Sequence, residues 1–189
     1  MITSVSDNLA IAHLTVSFGF ADGRHIAIPV EICKEQVESF STIGGSFRLF
    51  ERILIAATDR CRPRPHQFWG KDLPLIPVML NAERPRTLFL SYLRLGNDLV
   101  QKPEFHNTIT ANCTSTVWRL AKVILPDLPQ DYLLLFSGQL PEYIDEPHGL
   151  PGDMPMAQRR RAAKVMQKAQ TIPDGLDFSA LIRANRPLA

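Results

Sequence analysis

Two runs of apolar and β-branched residues near the start of the chain are separated by a short turn-forming segment. The first run spans residues 10–20 and the second spans 25–32, with Ala21-Asp22-Gly23 between them. A glycine-containing turn between two such runs is typical of a β-hairpin. The pattern therefore predicts that the two runs pair as antiparallel strands.

The length of the hairpin loop decides which residues face each other. A three-residue loop with Gly23 in the left-handed conformation sets His13 opposite Glu31, with about 5 Å between their Cβ atoms. A two-residue loop would set Leu14 opposite Glu31 instead. His25 lies near the hairpin tip, about 20 Å along the strands from His13.

Further patterns predict two strands and two helices. A third strand is expected in 47–57, and a shorter edge strand in 73–80, where two prolines limit pairing. Leu88, Tyr92 and Leu95 recur at helical spacing, which predicts a helix over 85–100. A second apolar stripe predicts a helix that begins after the N-cap Asn112 and ends at Pro126.

The last third of the chain is less regular. It holds an apolar run at 132–136 and a proline- and glycine-rich segment at 137–155. A basic helix around 156–170 and a short helix near 176–184 follow. Strands precede helices, which favours an α+β fold over a wound parallel sheet. We expect one domain over 1–189, with a core at about 8–150 and a helical C-terminal extension at about 151–189.

Composition narrows the possible functions. The 189 residues carry 21 Lys and Arg against 19 Asp and Glu, a net charge of +2. A balance this close to neutral argues against nucleic acid as a general partner. The chain shows no secretion signal and no run long enough to span a membrane.

The cysteines and histidines give no metal-site pattern. Cys33, Cys61 and Cys113 form no C-x-x-C pair, so at least one thiol is expected to stay free. His66 and His148 are isolated and show no metal-ligand spacing. We expect no metal and no organic cofactor.

Cys113 is the strongest candidate for chemistry because it follows the N-cap of a predicted helix. Unpaired amides and the positive end of the helix dipole stabilise an anion there, which lowers the pKa of a thiol. The same amides can bind the oxyanion of an acyl-transfer intermediate. With His13 as proton acceptor and Glu31 as its orienting group, Cys113 would complete a catalytic set. Each residue also has a purely structural interpretation, as a core cysteine, a core histidine or a surface ion pair.

Two longer strings resemble a known family. His13-Leu-Thr-Val-Ser-Phe-Gly-Phe-Ala-Asp-Gly with Ile28-Pro-Val-Glu-Ile-Cys resembles the first motif of the Lnb N-terminal periplasmic domain family. Pro103-Glu-Phe-His-Asn-Thr-Ile-Thr-Ala-Asn-Cys-Thr resembles its second motif. The similarity extends over about residues 8–186. The family pattern has tyrosine where this chain has His106, and arginine where it has Cys33.

The resemblance implies a circularly permuted papain-like (NlpC-type) fold with an antiparallel sheet packed against helices. It implies Cys113 as nucleophile, His13 as general base and acid, and Glu31 as orienting residue. Asn112 and the amides of Cys113 and Thr114 would support the oxyanion, and His106 would replace the hydrogen bond of the family tyrosine. The named family member is a lipoprotein intramolecular transacylase, which implies a place in the cell envelope or periplasm.

Three functions follow as alternatives. The first is thiol-dependent acyl transfer or hydrolysis on an ester or amide carbonyl of a lipid, lipoprotein or peptide, through an acyl-thioester. The second is a noncatalytic envelope module for binding or assembly, and the third is a cysteine peptidase. Membrane-surface contact is a further expectation for one cationic segment, set against the alternative of a solvated helix face. That segment comprises Arg159, Arg160, Arg161, Lys164 and Lys168.

Overall fold

The computed structural model describes residues 2–5, 12–33, 50–58, 74–107, 110–135, 137–145, 150, 152–164 and 178–184. The strands are β1 (Ile2–Val5), β2 (Ala12–Gly19), β3 (His25–Cys33), β4 (Glu51–Leu54) and β5 (Ala57–Thr58). The helices are α1 (Glu83–Gln101), α2 (Cys113–Ala121), α3 (Leu140–Asp145), α4 (Met156–Ala162) and α5 (Phe178–Arg183). Two 3₁₀ turns, Tyr132–Leu135 and Ser137–Gln139, precede α3.

The strands form one antiparallel sheet in the order β1-β2-β3-β4, with β5 also paired to β3. This sheet and the helices that follow it confirm the predicted α+β class. β1 was not predicted, because a strand of four residues with two polar members carries little periodic signal.

The hairpin has the predicted three-residue loop. Gly19 pairs with His25, the amide of Phe20 donates to the carbonyl of Arg24, and Gly23 has a φ of +80°. The pairing then runs back to Thr15 opposite Pro29, so the same register sets His13 against Glu31.

The strand predicted over 47–57 is present but interrupted within residues 50–57, and 47–49 lie outside the described ranges. β4 and β5 pair with β3 in a single register, Val30 with Leu54 and Ala27 with Ala57. Pro29 lies between the two paired stretches and has no amide to donate. The interruption therefore falls where the ladder lacks a hydrogen-bond donor.

The predicted edge strand at 73–80 is wrong for residues 74–80. Within that range Pro74 and Leu75 form isolated bridges and no continuous strand. Pro74 pairs with Lys164, and the Leu75 amide donates to the carbonyl of Ala163. Pro74 and Pro77 remove two amides from this segment, so a longer ladder cannot form. Leu75 is nevertheless buried in the core.

Both major helices occur where the periodicity predicted them. α1 covers the predicted range, whereas α2 ends at Ala121 and continues to Ile124 as tighter turns. The core lies between the sheet and these two helices. One cluster of buried residues comprises Phe18, Ile28, Leu88, Tyr92 and Ile124, and a second comprises Leu14, Leu134, Leu140 and Tyr143.

The C-terminal part is more helical than its proline content suggested. α3 lies inside the segment 137–155, and Pro141 occupies its first turn, where a proline needs no amide acceptor. α4 and α5 confirm the two late helices within 156–164 and 178–184. Residues 59–71 and 165–170 lie outside the described ranges, as do Cys61, His66, His148 and Lys168.

Gly23→Ala tests the loop that sets the register. An added Cβ in the left-handed conformation costs about 1–2 kcal/mol, so we expect the free energy of unfolding to fall by about that amount. Urea denaturation followed by circular dichroism measures it. The matched control is Gly96→Ala in α1, where an added Cβ meets Leu54 at an ordinary 3.7 Å and should be neutral or stabilising. Equal effects at the two glycines would contradict this account.

Candidate active site

The first turn of α2 is fixed by a capping box around Asn112. The Asn112 side-chain oxygen accepts a hydrogen bond from the Ser115 amide at 2.7 Å, and the Ser115 hydroxyl accepts one from the Asn112 amide at 3.0 Å. This geometry places Cys113 at the first helical position, as the N-cap pattern predicted. The first amides of a helix lack acceptors within the helix, so they face outward beside Cys113.

The segment before the capping box is held against the sheet. The Arg52 amide donates to the Glu104 carbonyl at 2.8 Å, and the His106 amide donates to the Phe50 carbonyl at 2.7 Å. A bridge between Glu51 and Phe105 lies between these bonds. The chain that leads to Cys113 thus runs beside β4.

Arg52 adds a side-chain link between the sheet and α2. It is only 4% exposed, its guanidinium donates to the Thr116 hydroxyl at 2.6 Å, and it forms an ion pair with Glu104. The Thr116 hydroxyl in turn donates to the Asn112 carbonyl at 2.8 Å. Arg52 therefore connects β4 directly to the turn that carries Cys113. Sequence analysis missed this residue because its partner is 64 positions away.

His13 and Glu31 meet as the hairpin register implied. The Nε2 atom of His13 lies 2.8 Å from Oε1 of Glu31, and about a third of each side chain is exposed. The geometry is that of an ion pair and not of an aligned hydrogen bond. Glu31 thus holds a negative charge against the imidazole.

The imidazole also contacts the sulfur of Cys113. Burial by itself would lower the pKa of His13, but its hydrogen bond with Cys113 and its contact with Glu31 outweigh burial and raise that pKa to about 10. The protonated, cationic imidazole is therefore the stable form at neutral pH.

The pKa of Cys113 moves in the opposite direction. Burial would raise it, but the hydrogen bond and charge of His13, the backbone amide of Leu14 and the Thr114 hydroxyl together lower it. Cys113 remains half-buried, not sealed. The two shifts together describe a thiolate and imidazolium pair flanked by Glu31.

The other predicted site residues occupy distinct positions. Thr114 is 1% exposed, with its hydroxyl 3.9 Å from the Cys113 sulfur. The Asn112 oxygen is used by the cap, so any donor to an oxyanion from this side chain would be its amide nitrogen. His106 is half-buried, and its backbone amide donates to the carbonyl of Phe50, the residue before β4. The structure brings Asn112 and Thr114 to the thiol and holds His106 on the segment that leads to it.

His25 belongs to a different contact. Its Nδ1 lies 3.0 Å from the Ser179 hydroxyl, and Arg183 donates to that hydroxyl and to Ser17. These bonds fasten α5 to the hairpin. They leave His13 as the histidine that pairs with Cys113.

A large apolar cavity of about 1080 Å³ adjoins the site. Thr114 and Val117 of α2 line it, so it begins within one helical turn of Cys113. Its other walls come from β2, α1 and α3, and its lining includes Phe18, Leu88, Phe89, Ala121, Leu140 and Tyr143. Ligand pockets usually enclose about 300–1,000 Å³, so this cavity has room for a sizeable apolar group.

Two arginines of the cationic segment around α4 form intramolecular bonds. Arg159 is 5% exposed and donates to the Gly152 carbonyl, while Arg160 forms a two-pronged ion pair with Glu142. Arg161 is exposed and Lys164 is half-buried. Contact with a membrane surface stays a prediction that depends on the remaining cations.

The described ranges contain no group of three or more His, Cys, Asp or Glu side chains able to hold a metal ion. No helix within them is both long enough and apolar enough to cross a membrane.

The described residues define an α+β domain in which a cysteine at a helix start meets a histidine of the opening hairpin. The chain matches the model of the Lnb N-terminal periplasmic domain over residues 1–138. It therefore belongs to the Lnb N-terminal periplasmic domain family, which confirms the resemblance drawn from its two motifs. No curated protein and no solved structure matches it.

The paired pKa shifts predict the pH dependence of Cys113 alkylation by iodoacetamide, which reacts with the thiolate. Because His13 stabilises the thiolate, alkylation should persist well below the pKa of about 8.5 typical of a free thiol. His13→Gln should raise the pH midpoint of alkylation, because burial then raises the pKa of Cys113 with no cationic imidazole to oppose it. Peptide-resolved mass spectrometry measures the midpoint. His25→Gln is the matched control and should leave it in place; equal midpoints for His13→Gln and wild type would refute the ion pair.

Arg52→Met should destabilise the protein by about 1–3 kcal/mol, because it removes buried, charge-assisted hydrogen bonds. The free energy of unfolding in urea measures this loss. Arg119 of α2 is exposed, so Arg119→Met is the control and should change stability by less than about 0.5 kcal/mol. If Arg52→Met lowered the free energy of unfolding no more than Arg119→Met, the link from Arg52 to Thr116 would contribute nothing to stability.

Proposed function

We propose that the protein is a thiol-dependent acyltransferase or hydrolase that acts on an ester or amide carbonyl through Cys113, His13 and Glu31. The observation that carries the proposal is the continuous contact from Glu31 to His13 to Cys113. A nucleophile, a proton carrier and an orienting carboxylate in this order are what acyl transfer requires.

Each proton and electron pair in the proposed reaction has a place. The Cys113 thiolate attacks the carbonyl carbon, a sulfur–carbon bond forms, and an electron pair moves to the carbonyl oxygen. When this intermediate collapses, the bond to the leaving group breaks, and the His13 imidazolium donates its proton to the departing oxygen or nitrogen. The products are an acyl-thioester on Cys113 and a neutral imidazole.

The second half of the reaction reverses these roles. An amine or a water molecule attacks the thioester while the neutral His13 accepts its proton. The thiolate then leaves, which restores the starting ion pair. Glu31 positions the imidazole throughout and stabilises its cationic form, as the third member of such a site does.

The apolar cavity supports an acyl group with hydrocarbon character, such as that of a lipid or lipoprotein. Burying a methylene group contributes about 0.8 kcal/mol, so an aliphatic chain gains affinity with each carbon that enters. The cavity favours such a donor over the polar backbone of a peptide substrate. The experiments below separate this proposal from its two alternatives, a cysteine peptidase and a noncatalytic binding module on the same fold.

Two further features of the proposal come from the family. The order of a histidine strand before a cysteine helix agrees with a circularly permuted papain-like, NlpC-type fold. The family description as a periplasmic domain supports action in the cell envelope.

The catalytic proposal predicts a trapped acyl-enzyme. Incubation with a p-nitrophenyl ester should add the acyl mass to Cys113 in intact-protein and peptide mass spectra. Cys113→Ala should abolish the adduct. His13→Gln should slow its formation by about 100-fold or more, and Glu31→Gln should slow it by a smaller factor. Cys33→Ser is the control, because Cys33 is an exposed thiol outside the site. Acylation of Cys33 in preference to Cys113 would favour the noncatalytic alternative.

The cavity predicts a dependence on acyl-chain length. Octanoyl and decanoyl esters should acylate Cys113 with a kcat/KM at least about 10-fold above that of the acetyl ester. Ala121→Phe fills the cavity from α2, so it should remove this preference while sparing the acetyl ester. Val123→Phe is the matched control, since Val123 is 56% exposed and outside the cavity lining. A long-chain preference that survives Ala121→Phe would place the acyl group elsewhere.

A further inference from the structure

Exposed apolar side chains gather where the cavity opens to solvent near the hairpin loop. Phe20 of that loop is 40% exposed, and Val78 and Met79, in the segment before α1, are 37% and 53% exposed. All three line the cavity. Single exposed apolar residues are common on soluble domains, whereas a group of them around an apolar opening marks a site that meets another apolar surface.

Phe89 of α1 brings these exposed residues together. Its ring meets that of Phe20 edge-on at 5.5 Å, and both Phe89 and Leu80 pack against the core cluster that contains Tyr92. Val78 and Met79 directly precede Leu80 in the chain. The hairpin loop and the segment before α1 therefore flank one opening of the cavity.

Residues 77–80 are unusual for a connecting segment. They are four consecutive apolar residues, they form no strand, and none of the four is buried. A run of apolar residues at the surface normally needs a functional reason, because burying it would be more favourable than exposing it. Contact with an apolar partner would recover that lost burial.

Two arginines lie beside the same opening. Arg84 and Arg86, in the first turn of α1, are exposed and line the cavity. Neither forms an ion pair within the described part of the chain. Asp127 is the acidic residue of the lining, and Glu83 precedes Arg84 without lining the cavity. The lining thus combines an apolar opening with a net positive charge.

The cavity connects this opening to the candidate active site. β2 lines it from Val16 to the hairpin loop, and α2 lines it from Thr114 onward. His13 and Phe20 are seven residues apart, which is about 23 Å along a strand. One lipid chain spans half of the hydrocarbon core of a bilayer, or about 15 Å. A chain whose carbonyl carbon lies at Cys113 can therefore extend most of the way to the opening.

We propose that the mouth surface, defined by Phe20, Val78, Met79, Arg84 and Arg86, docks on a membrane that contains anionic phospholipids. The apolar side chains enter the boundary between head groups and acyl chains. The two guanidinium groups bind phosphate oxygens, which suit their planar, two-pronged donor geometry. Docking needs no reaction at Cys113, so it is independent of the proposed function. Together with that function, it gives a lipid chain a path into the cavity that avoids water.

The mouth surface is distinct from the cationic segment around α4. Arg159 and Arg160 of that segment bind groups within the protein. Binding to a membrane surface strengthens with the apolar area that enters it and with attraction to anionic lipids. The mouth surface supplies both contributions, which makes it the better candidate for membrane contact.

Co-sedimentation with vesicles tests the mouth surface. The intact protein is mixed with vesicles of equal parts phosphatidylcholine and phosphatidylglycerol, and the bound fraction is measured against lipid concentration. Met79→Glu should weaken binding about 10-fold or more, because it places a charge at the apolar boundary. Arg84→Gln and Arg86→Gln should each weaken it about fivefold, the gain that one cation provides near an anionic surface. On vesicles of phosphatidylcholine alone, both arginine variants should bind like the wild type.

Matched controls carry the same changes away from the mouth surface. Val123→Glu is the control for Met79→Glu, since Val123 is 56% exposed and does not line the cavity. Arg94→Gln is the control for the arginine variants, because Arg94 is exposed on α1 and also lies outside the lining. Both controls should bind vesicles like the wild type. Cys113→Ala should do so too; loss of binding in that variant would replace docking with covalent capture of a lipid chain.

Three other results would overturn the proposal. Vesicle binding that Met79→Glu leaves unchanged would show that the mouth surface does not touch the membrane. A loss with Arg161→Gln, but not with Arg84→Gln or Arg86→Gln, would assign membrane contact to the segment around α4. A dimer in light scattering without vesicles that Met79→Glu dissociates would assign the surface to a second copy of the chain.

Vesicle binding and acylation separate the two proposals. A protein that docks as expected, but whose Cys113 is not acylated by p-nitrophenyl esters, would refute the proposed function alone. A protein whose Cys113 is acylated, but which binds neither kind of vesicle, would refute the docking surface alone.

Discussion

The contact between the Cys113 sulfur and the His13 imidazole is the interaction on which the site depends. Each partner is partly buried, and burial alone would favour the neutral form of both. Their mutual hydrogen bond and opposite charges reverse that preference. Glu31 adds a second negative charge at Nε2 of the ring, so the cation contacts two anions. A thiol and a neutral imidazole at the same positions would have little nucleophilic character.

This ion pair requires two distant parts of the chain to be held in place. The hairpin loop fixes His13 and Glu31 relative to each other, and the capping box fixes Cys113 relative to its helix. Arg52 then joins the two parts, because it belongs to the sheet and binds Thr116 of α2. Loss of Arg52 would leave its partners without their charge-assisted hydrogen bonds, so the link both stabilises the fold and fixes α2 against the sheet.

The sequence predicted those features whose geometry depends on residues close together in the chain. Gly23 determined the loop, the loop determined the register, and Asn112 marked the start of α2, all within a few residues of one another. Interactions across the fold left no such signal. Arg52 is an ordinary basic residue in a strand, and the apolar residues at the cavity mouth come from separate segments of the chain. Arg159 and Arg160 belong to a basic run, and only the folded chain reveals that both bind inside the protein.

The cavity wall extends beyond the last residue that the family model matches. The family match ends at residue 138 and so includes Cys113, His13 and Glu31, whereas Leu140 and Tyr143 of α3 line the cavity from beyond that point. The groups proposed for bond chemistry and part of the surface proposed for chain recognition are therefore encoded in separable segments. Under the proposed function, a substitution in α3 changes the shape of the cavity without changing Cys113, His13 or Glu31.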